Sequence, residues 1–136
     1  MADQAARAIV YRAQVPAATI LQTTVYPIKV TEAGVVSSCS YSSTAAVTGA
    51  ASPASRTLSL INKGQAGAGS TVVATLALVG GVNLAAFDES ALALSGTPAN
   101  LVVAAGDVLQ WQSLPVGGTG LVEGGGEVEV IVTRTA

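Results

Sequence analysis

Between Arg56 and Val79 the chain reads RTLSLINKGQAGAGSTVVATLALV, two apolar runs on either side of a Gly/Ala/Ser loop. Leu58 and Leu60 alternate with Thr57 and Ser59. In the second run Val72, Ala74, Leu76 and Leu78 fall on one face, and Val73, Thr75, Ala77 and Val79 on the other. A period of two over this length predicts strands, not helix. Both faces of the second run are apolar, so that strand is expected to lie deep in a sheet, covered on each side. The same alternation returns in EVEVIVTR, where Val128, Val130 and Val132 oppose Glu127, Glu129, Ile131 and Thr133. From Val108 to Ser113, Leu109 and Trp111 share a side opposite Gln110 and Gln112. Trp111 is the single tryptophan and reads as a core plug.

The remaining segments carry weaker patterns. Thr19 to Val30 is rich in β-branched residues, and Pro27 inside it marks an edge strand or a bulge. Glu32-Ala33-Gly34 reads as a turn. Val35 to Ser55 is mostly Ser, Ala, Thr and Gly, which fits either a strand pair or a long ordered loop, ended by Pro53. Gly80-Gly81 is a turn. A further turn is expected around Phe87-Asp88, then a strand through Leu94. Leu101 to Val103 is a short apolar run, and Ala105-Gly106-Asp107 turns the chain again. The glycines from Gly117 to Gly126 predict a long flexible connection. Met1 to Gln14 mixes a helical face with a strand-like Ile9-Val10-Tyr11 and reads as an arm docked on a neighbour. About seven or eight strands with turn signals between them predict an all-β fold: a single-domain, jelly-roll-like β-sandwich with an N-terminal arm. The expected boundaries are 1–15 for the arm and 16–136 for the sandwich.

Composition sharpens this picture. Of 136 residues, 50% are apolar and 10% charged, against roughly 25% charged in average globular proteins. With so few charges, part of the surface is expected to be buried against neighbouring subunits. Net charge is −2 and the six basic residues are scattered singly, so no footprint for nucleic acid is present. No apolar run reaches the roughly 18 residues of a membrane helix. The first residues also lack a signal-peptide pattern, so folding in a cytoplasm is expected.

Chemistry is thin. The chain has no histidine, which removes the usual general base and imidazole ligand. A Ser–His–Asp or Cys–His arrangement within the chain is thereby excluded. A carboxylate pair is arithmetically possible but has only three Tyr, one Phe and one Trp to build a sugar platform. Gly64 and Gly69 meet the spacing of a phosphate loop, yet Ser70 stands where Lys is required and a strand follows instead of a helix. That loop is expected to be a flexible hairpin tip. Asp88-Glu89 near Asn83, or Asp107, are oxygen donors for Ca²⁺, but no D-x-D-x-D-G run accompanies them. Asp107 is better read as accepting backbone hydrogen bonds in its own turn. Glu127 and Glu129 form a solvated acidic face or a contact with a basic partner. The lone Cys39 permits no intrachain disulfide and reads as inert. No enzyme, cofactor or metal is expected.

Three phrases, RTLSLINKGQAGAGSTVVATLAL, GVNLAAFDESALALSGTPANLVVAAGDVLQWQS and GGEVEVIVTR, resemble capsid decoration (cement) proteins of tailed bacteriophages. The resemblance covers roughly Ala45 to Arg134. It implies a β-sandwich protomer that trimerises on the outside of an icosahedral head, at three-fold or local three-fold positions, and bridges major capsid protein subunits against the pressure of packaged DNA. The implied location is the outer capsid surface of the virion, and the implied partners are the major capsid protein and further copies of the chain. Ile9, Val10, Tyr11 and Arg12 are the candidate contact residues. Deletion of Met1 to Gln14 is then expected to abolish capsid binding and leave the β domain folded. The alternative is a receptor-binding or adhesion module of a fibre or tail, which needs an exposed aromatic and polar platform.

Overall fold

In the computed structural model, which describes residues 7–17, 24–51, 55–116 and 125–134, the period-two segments become strands. In chain order they are β1 (Ala8–Val15), β2 (Thr24–Lys29), β3 (Gly34–Ser43), β4 (Ser55–Asn62), β5 (Thr71–Leu78), β6 (Glu89–Ala91), β7 (Ala93–Leu94), β8 (Val102–Val103), β9 (Val108–Val116) and β10 (Gly126–Arg134). A short 3-10 turn, Pro98–Leu101, precedes β8. All pairings are antiparallel. The first sheet has the order β1-β10-β3-β6, with β8 also on β3; the second has the order β2-β9-β4-β5-β7. This interleaving of the chain between two sheets is the strand order of a jelly roll. The fold is an all-β sandwich.

The inner faces follow from the alternation. Val128, Val130 and Val132 of β10 and Val36, Cys39 and Tyr41 of β3 are buried, as are Leu58 and Leu60 of β4 and Leu109 and Trp111 of β9. Each large apolar side chain so buried is worth about 1.5–3 kcal/mol. Tyr41 and Trp111 stack across the gap between the sheets, ring centroids 5.2 Å apart at 22°. Arg56 faces inward and is fully buried, donating to the Ser113 carbonyl at 3.2 Å and to Ser113 Oγ at 3.0 Å. A charged side chain is tolerated there because its donors are met.

Several expectations need correction. The β4–β5 ladder shifts register between Leu60 and Ile61, which pair with Ala74 and Val72. Val73 is the extra residue of a β-bulge and turns into the core, so Val73 is buried and Val72 is 44% exposed. With Thr75 and Ala77 also exposed, β5 is covered on one face, not two. The hairpin tip is not loose: Asn62 Oδ1 accepts from Gly64 N at 2.8 Å, Val108 N donates to Gly64 O at 3.0 Å, and Gln65 Nε2 donates to Ala105 O at 3.2 Å. It is pinned to the turn before β9.

Val35 to Ser55 resolves into one strand, β3, and a loop held by the Val47–Leu84 bridge. The segment after Phe87 is split between sheets: β6 joins the first, β7 the second, and the buried Leu92 between them marks the crossing. Pro27 lies in β2, which is the edge strand its presence predicts. Ala8–Val15 is not a separate arm. It is an edge strand paired along its whole length with β10, from Ala8↔Thr133 to Val15↔Gly126. The expected boundary at residue 15 therefore falls inside the sandwich. Met1 to Ala6, Pro53 and most of the glycine-rich connection lie outside the described residues.

Candidate docking surface

The four residues expected to make contacts sit on β1 but do not form one patch. Alternation along the strand turns Ile9 and Tyr11 toward the core, where Tyr11 packs against the buried cluster, and turns Val10 and Arg12 outward. The Tyr11 hydroxyl lies 3.0 Å from Thr31 Oγ1 and accepts from Thr31 N at 3.0 Å, tying the first sheet to the end of β2. Arg12 Nε donates to Glu129 Oε2 at 3.1 Å, and Glu127 stands 3.6 Å away. The basic partner of this acidic pair is thus a residue of the same chain. At this exposure the pairing is worth about 0.2–1 kcal/mol. Val10, 43% exposed, is left as the apolar outward residue of the four.

A stronger feature was read only as a turn. Phe87, the single phenylalanine, is 83% exposed and has φ +58. Its position is fixed by its neighbours: Phe87 N donates to Ser43 O at 2.7 Å, and Asp88 N reaches Ala85 O at 3.4 Å. The left-handed conformation costs a residue with a bulky side chain about 1–2 kcal/mol, and leaving the ring in water forgoes the 1.5–3 kcal/mol of burial. Phe87 borders a concavity of about 630 Å³ at the end of the first sheet, whose lining includes Gln14, Pro16, Ser42, Gly126 and Glu127. A Cβ at Gly126 would meet the Ser42 carbonyl, so the floor of this hollow is backbone against backbone. The signal available in sequence was an isolated large apolar residue inside a predicted turn.

The other candidate groups are structural. The Asp107 carboxylate accepts from Ala104 N at 2.9 Å and Asn62 Nδ2 at 3.1 Å, and the backbone hydrogen bond above all holds its acidity below the usual carboxylate range. This is the turn role expected of it. Asn83 Oδ1 accepts from Gly49 N at 2.9 Å, tying two loops together. Cys39 is buried between the sheets, and that burial pushes its thiol up to about 12. Among the described residues no group of three His, Cys, Asp or Glu side chains is placed to hold a metal.

Comparison with known proteins returns no match, neither to a family model, nor to a curated protein, nor to a solved structure. The functional argument therefore rests on this chain's own surface. What that surface offers is shape and an apolar anchor: a strained, projecting ring beside a hollow lined with hydroxyl, amide and carboxylate groups. Such an arrangement can seat a partner; it supplies no evident nucleophile–base pair.

Proposed function

We propose that this protein is a non-catalytic structural subunit of a tailed-bacteriophage head, a decoration protein that binds the outside of the icosahedral capsid as a trimer and bridges major capsid protein subunits. Phe87 carries the docking part of this reading. An aromatic ring that is both exposed and held in an unfavourable backbone conformation has most to gain from burial against a partner, as anchor residues at interface centres do. The phage part is supported by the resemblance of the β4–β5, β6–β9 and β10 phrases to decoration proteins. A jelly-roll sandwich with few charges suits a subunit whose surface is shared with neighbours. Many copies, each adding a modest interface, would stabilise a shell by multivalent attachment.

Stoichiometry in purified particles tests the proposal. Copies numbering in the hundreds on DNA-filled heads are the expected result; a few or a dozen would indicate a tail or vertex component instead. The second reading, a receptor-binding or adhesion module, is favoured by the same Phe87 with Gln14, Ser42 and Glu127 beside it, since an aromatic face flanked by hydrogen-bonding groups also suits a sugar ring. Binding on a glycan array that is lost in Phe87→Ala would replace the first reading with the second.

A further inference from the structure

The two outward faces of the sandwich differ in kind. The first sheet turns Arg12, Glu127 and Glu129 outward, joined by ion pairs of 3.0 and 3.6 Å. The second sheet presents rows set by strand register: Leu114, Thr57 and Ala77 in one, Gln112, Ser59 and Thr75 in the next. None is charged. Lys29, at the end of the edge strand β2, is the one charged side chain that the second sheet's strands turn outward among the described residues. Exposed Leu114 and the bulge-displaced Val72 add apolar surface to this face.

We propose that the outer face of the second sheet is a homotypic interface on which a second copy of this chain docks. The charge pattern argues for this occupant. A face without carboxylates or guanidinium groups at its centre offers nothing to a charged partner, while two copies of it meet without like-charge repulsion. The polar groups are also prepared for a dry contact. Thr75 Oγ1 donates to Leu58 O at 3.2 Å, Ser59 Oγ lies 3.3 Å from Thr75 Oγ1, and Gln112 Nε2 donates to Gln110 Oε1 at 2.5 Å. Groups that already have partners within the face lose little when water leaves. Three long strands and the flanking β2 span a plate of about 15 by 25 Å, on the order of 400 Å² in projection. The accessible area of a pleated face exceeds its projection, so this plate supplies the centre of an interface of about 800 Å² per partner.

The test is the mass of the purified full chain in solution over a dilution series, by sedimentation or light scattering. The wild type is expected to self-associate. The double variant Val72→Glu/Leu114→Glu, its fold checked by circular dichroism and denaturant midpoint, is expected to associate about 100-fold or more weakly, because it buries unpaired charges. Val10→Glu, on the opposite sheet, is expected to leave association unchanged. If the double variant does not fold, Thr75→Cys in the otherwise wild-type chain gives a second reading: its thiol should react slowly when concentrated and quickly on dilution. A monomeric wild type, dissociation by Val10→Glu alone, or a Thr75→Cys thiol that reacts at one rate at every concentration overturns the inference. These outcomes are separate from the shell reading, which stands or falls on copy number and on Phe87.

Discussion

Cys39 gives the residue scale its clearest measurement. It packs against the core between the sheets, so the folded state disfavours the thiolate and the thiol keeps its proton up to about 12. The unfolded chain loses that proton above about 8.5. Between these values the unfolded state binds fewer protons, so stability falls as pH rises, with a limiting slope of about 1.4 kcal/mol per pH unit. Urea midpoints measured from pH 7 to 10 should show this decline, and Cys39→Ala should flatten the alkaline limb. A thiol reagent at pH 8 should accordingly label Cys39 only through unfolding; rapid labelling of the native protein would mean the sandwich opens locally. Trp111 is a second internal probe. Its ring stacks on Tyr41, while its Nε1 has no hydrogen-bond partner among the described residues. Trp111→Phe, which keeps a stackable ring, should cost less than Trp111→Ala, for which about 3–5 kcal/mol is expected.

Among the elements, β5 separates pattern from structure. Strict alternation puts Val72 inside and Val73 outside, whereas the bulge reverses them. Val73→Ala should therefore cost about 2 kcal/mol, and Val72→Ala no more than about 0.5 kcal/mol. Equal costs, or the reverse order, would mean that the bulge is not populated in solution. The bulge explains why part of the fold was legible and part was not. In β10 and β9, where each residue of the strand has one partner, Val128, Val130, Val132, Leu109 and Trp111 lie on the inner faces that their alternation predicts. One unpaired residue changes the phase of everything before it, and an all-apolar run such as Thr71–Leu78 carries no polar marker to reveal the change. β1 was obscured differently. Its inward residues are Ile9, Tyr11, Ala13 and Val15, and the small Ala13 weakens the apolar signal. Deletion of residues 1–14 is now expected to remove nearly the whole edge strand and destabilise the sandwich, so it no longer isolates a docking function. Val10→Lys should leave thermal stability within about 0.5 kcal/mol and is the cleaner probe of that face.

For the whole molecule, Phe87 sets stability against association. In the isolated chain its φ of +58 and its exposure are both unfavourable, and neither is explained by packing within the fold. Asn accepts the left-handed conformation more readily than Phe, so Phe87→Asn should leave the isolated protein as stable as wild type or raise stability by up to about 1 kcal/mol. Phe87→Ala keeps the backbone conformation without that relief and should lie close to wild type. If the ring is the anchor that seats the protein on its partner, both variants should lose attachment to heads stripped of the wild-type protein, while their folded spectra and midpoints are retained. The combination is what matters. Loss of attachment together with lost stability would make Phe87 a packing residue. Full attachment by Phe87→Asn would move the docking surface elsewhere and leave the strain at residue 87 without a function. Gain in stability with loss of attachment is the result that a residue shaped for a partner, not for its own fold, must give.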